Sequence, residues 1–191
     1  MARWCAVFLA CACQQATGAT LFVTSAHDGA DDVSIALVTD GEHIAAYVCA
    51  GDVAHDPYPG WFVGEVGDDG TFDMELAGFF FEGSVDAGSA RGEIVEPDGT
   101  VVPWASAHPS QSNLTGVYQD DPDDSGCVAS VIVLDEDSSR PPIVRGAACN
   151  VMQVTPVEPV GLVDGKLLVD IADVTSPRRV YVAPVRAVPR R

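Results

Sequence analysis

Hydrophobic and polar residues alternate with a period of two along much of this chain after residue 20, and glycine-containing turns separate the alternating runs. A period of two is typical of β-strands, because successive side chains point to opposite faces of a sheet. No apolar pattern with the period of an α-helix is sustained over the same region. The pattern therefore predicts an all-β protein, either an antiparallel, hairpin-rich sandwich or barrel or two small β subdomains.

The clearest hairpin lies between residues 33 and 48, where two apolar strands flank Asp40 and Gly41. An Asp-Gly pair supports the two-residue turn that best fits the twist of antiparallel strands. Such a turn would place Leu37 opposite Ile44, with the alternating apolar side chains of both strands on one face. The sequence therefore predicts that this face belongs to the core.

Two later turns are predicted from the positions of glycine. A three-residue loop over residues 68–70, with its glycine in the left-handed conformation, would place Val66 opposite Phe72. A Pro-Asp-Gly turn further along the chain would place Val95 opposite Val101.

The predicted hairpins fall into two groups on either side of a polar stretch near residue 110, which has no periodicity. We therefore divide the chain into three segments. Residues 1–19 form an export signal or lipoprotein anchor segment, residues 20–110 a β meander subdomain, and residues 111–191 a second β subdomain or extension.

The first segment has the composition of an export signal, because Arg3 precedes a short apolar run that ends in small and polar residues. Within this run, Phe-Leu-Ala-Cys at residues 8–11 resembles the lipobox of bacterial lipoprotein precursors. The resemblance implies that Cys11 carries a lipid and becomes the mature N-terminus, with Cys13 as a rival acceptor. It also implies an exported protein, either a membrane-anchored lipoprotein or an extracellular protein.

Charge limits the partners that the protein can take. The chain has 28 acidic and 10 basic residues, which gives a net charge of −18 at pH 7. Such a field repels nucleic acid and anionic lipid headgroups. We therefore expect a protein or glycan partner, no nucleic acid, and contact with a membrane only through a lipid anchor. The sequence leaves the oligomeric state open.

Two sets of residues offer metal ligands. His27, Asp32, His55 and Asp56 lie in or beside loops around the first hairpin, and their convergence would create a divalent-metal site or a hydrolase pocket. Asp121, Asp123 and Ser125 alternate as oxygen ligands do in the first half of a calcium loop. The bidentate acid of the second half is missing, so calcium is the one cofactor considered and none is expected.

Cysteines and aromatic residues supply the remaining candidates. Cys127 and Cys149 bound two neighbouring apolar strands, and we predict a disulfide between them, against the alternative of buried thiols. Tyr58 and Trp61 flank a Pro-Gly loop and could form a platform for a glycan or peptide, although such residues more often plug a core.

These patterns favour a non-catalytic envelope protein that binds or scaffolds, and no catalytic residue is assigned. The Gly-x-Ser-x-Gly elbow that would identify a serine hydrolase is absent from the sequence. Two alternatives stay open. One is a secreted hydrolase or divalent-metal enzyme that uses the four His and Asp residues above, and the other is an inhibitor-like or adhesive extracellular module.

Overall fold

The computed structural model describes residues 19–28, 31–49, 60–109, 115–121, 129–134, 143–149, 154–171, 178–186 and 188. In chain order, the strands are β1 Thr20–Asp28, β2 Asp31–Thr39, β3 His43–Cys49, β4 Trp61–Glu65, β5 Thr71–Leu76, β6 Phe79–Val85, β7 Ala90–Val95, β8 Val101–Pro109, β9 Gly116–Gln119, β10 Ala129–Leu134, β11 Ile143–Cys149, β12 Val154–Val163, β13 Lys166–Ile171 and β14 Arg178–Pro184. The described residues contain strands and no helix, so none of them forms a helix that could cross a membrane. The prediction of an all-β, antiparallel fold is confirmed.

The first eight strands form one antiparallel sheet in the order β4-β3-β2-β1-β8-β7-β6-β5. This sheet curls so far that its two end strands, β4 and β5, come into contact, with Gly64 against Met74. Its inner face encloses an apolar core that includes Phe22, Phe62 and Phe81, all fully buried.

The last six strands close into a barrel in the order β10-β11-β12-β13-β14-β9. Buried side chains from β9, β10, β13 and β14 fill its interior. They are Tyr118, Ala129, Val131, Val133, Leu167, Val169, Ile171 and Val182. The sheet and the barrel therefore each have a separate apolar core.

A third apolar cluster joins the sheet to the barrel. It contains Ala36 and Val38 of β2, Ala45 and Tyr47 of β3, and Ile132 of β10. Alternate residues of the same three strands point into the two cores described above. Strands β2, β3 and β10 are therefore buried on both faces, which explains why they are almost continuously apolar.

The structure corrects the register of the first hairpin. Its predicted two-residue turn is wrong, because Thr39 pairs with Ile44 and the loop has four residues. The Asp40 carboxylate accepts hydrogen bonds from the backbone N–H groups of Glu42 at 3.1 Å and His43 at 2.8 Å, which stabilises the longer loop. A shift of two residues keeps every side chain on its predicted face, so the predicted core face is confirmed.

The other two turns agree with their predictions. Across residues 68–70 the Gly67 N–H donates to the Thr71 carbonyl oxygen at 2.8 Å, and Gly70 has a φ of 80°. The structure also places Val95 opposite Val101. Glycine position therefore predicted these two loops correctly.

Two hydrogen bonds to Ser130 connect β3 and β4 to β10. The Tyr47 hydroxyl donates to the Ser130 carbonyl oxygen at 3.1 Å, and Trp61 Nε1 donates to Ser130 Oγ at 3.1 Å. The two aromatic rings lie 5.4 Å apart. Burial raises the pKa of Tyr47 above its ordinary value, and the Cys49 thiol beside it adds to the rise. Tyr47 is therefore held neutral between the sheet and the barrel.

Replacing Tyr47 with Phe tests this contact. At neutral pH we expect a loss of about 1 to 2 kcal/mol in the free energy of unfolding, because the Ser130 carbonyl loses a buried donor. Tyrosine in the unfolded chain ionises near pH 10.0, whereas the folded Tyr47 resists ionisation. The stability that Tyr47 contributes should therefore decline as the pH rises above that value.

Urea unfolding at a series of pH values measures both effects. Between about pH 9 and about pH 11, the unfolding free energy of the Tyr47→Phe variant should fall less steeply than that of the wild type. Equal slopes for the two proteins would show that Tyr47 is not held neutral by burial.

Candidate functional site

An open groove of about 710 Å³ lies where β5, β6, β7 and β8 run side by side. The backbone of the strands forms its floor, with the buried rings of Phe72 and Trp104 on the core face beneath it, and charged side chains form its rim. The lining residues are Phe72, Asp73, Glu82, Gly83, Ser84, Arg91, Gly92, Glu93 and Trp104.

A pair of glycines forms the floor of the groove. Gly83 and Gly92 face each other across β6 and β7, between Phe72 on β5 and Trp104 on β8. A Cβ atom at Gly92 would overlap the carbonyl oxygen of Glu82 and lie 2.8 Å from Gly83 Cα. The two strands approach so closely here that only glycine fits.

Trp104 covers this glycine pair from the core side. Its indole is 2% exposed and packs against Phe81 and Phe72, with ring centroids 5.3 Å and 6.4 Å away. Trp104 Cζ2 lies 2.7 Å from the position that a Cβ at Gly92 would take. Among the residues that the structure describes, none accepts a hydrogen bond from Trp104 Nε1.

Three carboxylates form a row across the rim. Asp73 on β5 pairs with Glu82 on β6, and Glu82 pairs with Glu93 on β7. The Cβ atoms of directly opposite residues lie about 5 Å apart, and like charges in such positions destabilise a sheet. Arg91, one of the lining residues, is the only Lys or Arg in the sequence between residues 20 and 109, a stretch with 17 acidic residues. With three carboxylates and one guanidinium, the rim therefore has a net negative charge.

Among the described residues, the row is not arranged as a metal site. Its three carboxylates are spread over three strands, whereas a metal site needs ligands that converge on one point. Within the described ranges, no group of three His, Cys, Asp or Glu side chains is arranged to hold a metal ion.

The structure describes the backbone of two of the four metal ligands predicted from sequence around the first hairpin. The backbones of His27 and Asp32 face each other across β1 and β2. His55 and Asp56 lie outside the described residues, so convergence of the four stays a prediction. In the acidic loop, Asp121 is exposed, and its predicted co-ligands Asp123 and Ser125 also lie outside the described residues.

Trp61 is one of the remaining predicted site residues that the structure describes. Its indole contacts Tyr47 and Ser130 in the cluster between the sheet and the barrel, so it packs within the protein. Its partner in the predicted platform, Tyr58, lies outside the described residues, as do Cys11, Cys13 and Cys127. Cys149 ends β11, and its bridge to Cys127 stays a prediction.

Comparison with known protein families, with curated proteins and with solved structures gives no match to this chain. Inferences about the groove therefore rest on its own geometry and charge. These features define an open, acidic groove with a glycine floor backed by a buried indole.

The glycine floor predicts a large effect for Gly92→Ala. The added methyl group must displace the backbone of β6, and we expect a loss of about 2 to 3 kcal/mol in the free energy of unfolding. Gly161→Ala is the matched control, because Gly161 also lies in a strand and a Cβ there would meet nothing within 4 Å. We expect the control to change stability by less than about 0.5 kcal/mol.

Chemical denaturation of both variants measures the difference. Equal stabilities for Gly92→Ala and Gly161→Ala would show that β6 and β7 do not approach each other as closely as described.

Proposed function

We propose that this protein is a non-catalytic protein of the cell envelope that binds a positively charged partner. Its first 19 residues would export it, and a lipid on Cys11 or Cys13 would anchor it. The observation that carries the binding role is the row of Asp73, Glu82 and Glu93 along one open groove. Three like charges in adjacent positions reduce stability unless a cation lies among them.

The distribution of charge along the chain supports the same partner. Residues 20–109 carry 17 acidic and one basic side chain, whereas residues 116–191 carry 11 acidic and eight basic side chains. Most of the net negative charge therefore belongs to the eight-stranded sheet. Charge complementarity of this kind steers a cationic partner to one part of a surface and raises its association rate.

A divalent-metal site is the second candidate function. It is favoured by the register of β1 and β2, which places the backbones of His27 and Asp32 opposite each other. Imidazole and carboxylate are common zinc ligands, and a hydrolase could use the water bound to such a metal. This site would require His55 and Asp56 as further ligands.

Binding of a cationic probe tests the proposed function. At low salt we expect the protein to bind acetyl-tetralysine amide with a Kd of about 10 to 100 μM, and to bind acetyl-tetraglutamate amide far more weakly. Raising the salt to about 0.5 M should weaken tetralysine binding by at least about tenfold, because added ions screen charges on an open rim. Titration calorimetry measures both probes, and equal affinities would contradict a cationic partner.

Labelling with palmitate in a bacterial host tests the anchor. If Cys11 is the acceptor, Cys11→Ser should abolish both the label and recovery in the membrane fraction, whereas Cys13→Ser should leave them unchanged. The reverse pattern would assign the lipid to Cys13. A chain that is exported without any label would rule out the lipid anchor and leave the binding role untouched.

A further inference from the structure

We infer that Cys49 of the sheet and Cys149 of the barrel form a disulfide across the apolar cluster that joins the two. Cys49 is the last residue of β3 and is in the thiol form in this structure. Cys149 is the last residue of β11. Because one cysteine forms one bridge, this pairing excludes the bridge from Cys149 to Cys127 that the sequence predicts. The bond is independent of the binding role proposed above.

The Cys49 thiol lies close to β11. It contacts the hydroxyl of Tyr47, which is two residues earlier on the same face of β3. That hydroxyl donates to the Ser130 carbonyl oxygen at 3.1 Å and also contacts the backbone of Ala147, the residue opposite Ser130 on β11. One hydroxyl group therefore connects Cys49 to the position two residues before Cys149.

Strands β3 and β11 run in the same direction across this contact. A Cβ at Gly116 would lie 3.5 Å from Leu21, and the registers place this contact level with the first half of β3 and the second half of β10. The contact between Tyr47 and Ser130 instead joins the second half of β3 to the first half of β10. β10 is therefore antiparallel to β3, and β11, which is antiparallel to β10, ends beside the end of β3.

Position 149 also belongs to the face of β11 that meets the sheet. Ser130 lies on the sheet side of the barrel, because its Oγ accepts a hydrogen bond from Trp61, and the directly opposite Ala147 shares that face. Alternation along a strand assigns position 149 to the same face.

The two strands are close enough for a disulfide. Packed sheets usually lie about 10 Å apart, whereas Cα atoms of β3 and β11 come within 8 Å of each other. A disulfide joins Cα atoms about 4.4 to 6.8 Å apart, so a small shift at the two strand ends satisfies its geometry.

Bond formation needs an oxidant, which a small disulfide such as oxidised glutathione supplies. The thiolate of one cysteine attacks this disulfide, which releases one glutathione and leaves the other bound to the protein sulfur. The second cysteine then attacks that protein sulfur, forms the bridge and releases the second glutathione. The two electrons and two protons lost by the cysteines end on the two glutathione thiols.

The bridge would hold the sheet against the barrel. Each of the two has its own apolar core. A bond between Cys49 and Cys149 closes a loop of about 100 residues, and a loop of this length strongly restricts the unfolded chain. The oxidised protein should therefore be more stable than the reduced protein.

Disulfide mapping of the wild-type chain tests the pairing directly. The protein is incubated with oxidised glutathione, and the remaining thiols are blocked with N-ethylmaleimide. Digestion with trypsin and endoproteinase Asp-N then leaves Cys49, Cys127 and Cys149 on three separate peptides. We expect mass spectrometry to find the peptides of Cys49 and Cys149 joined, and that of Cys127 labelled. A bridge from Cys127 to either of the other two, or no bridge among the three, would overturn the inference.

The melting temperature provides a second readout. Reduction with dithiothreitol should lower that of the wild type by about 5 to 15 °C. The matched control Cys127→Ser should keep this difference between the oxidised and reduced states, whereas Cys49→Ser should lose it. The opposite pattern would contradict the pairing. Because the mapping uses the wild type alone, it decides the question even if a variant does not fold.

Discussion

The burial of β2, β3 and β10 on both faces is the constraint on which the rest of the structure depends. Each of these strands contributes alternate side chains to the core of its own sheet or barrel and the others to the cluster between them. Without the barrel, the outer face of β2 and β3 would be a contiguous apolar surface, which soluble proteins rarely expose. The polar groups within this contact are hydrogen-bonded, as Tyr47, Trp61 and Ser130 show.

The barrel covers one half of the eight-stranded sheet, and the other half is in contact with solvent. Strand β5 alternates strictly between buried and exposed residues over most of its length, whereas β3 is buried at every position except its ends. The outer face of β5, β6 and β7 can therefore carry charged side chains without disturbing either core. The same sheet thus provides an apolar half that packs against the barrel and a polar half that holds the groove.

Alternation and turn chemistry predicted most of the fold, because both act over a few residues. They predicted the faces of the first hairpin and the pairing of Val95 with Val101, but not the four-residue loop stabilised by Asp40. The groove was not predicted, because it depends on the register of residues across four strands. One local signal was present, since a two-residue turn at Ala77 and Gly78 places Asp73 opposite Glu82.

The two tryptophans of the described strands show where this fold departs from a fully satisfied arrangement. The N–H of Trp61 is bonded to Ser130, whereas none of the described residues accepts that of Trp104. Trp104 packs on the core face of the strands whose outer face carries the row of like charges, and Gly92 leaves the space that the indole fills. The glycine pair is therefore explained by the packing of the indole against the sheet, whereas the row of like charges on the opposite face has no such explanation in the fold.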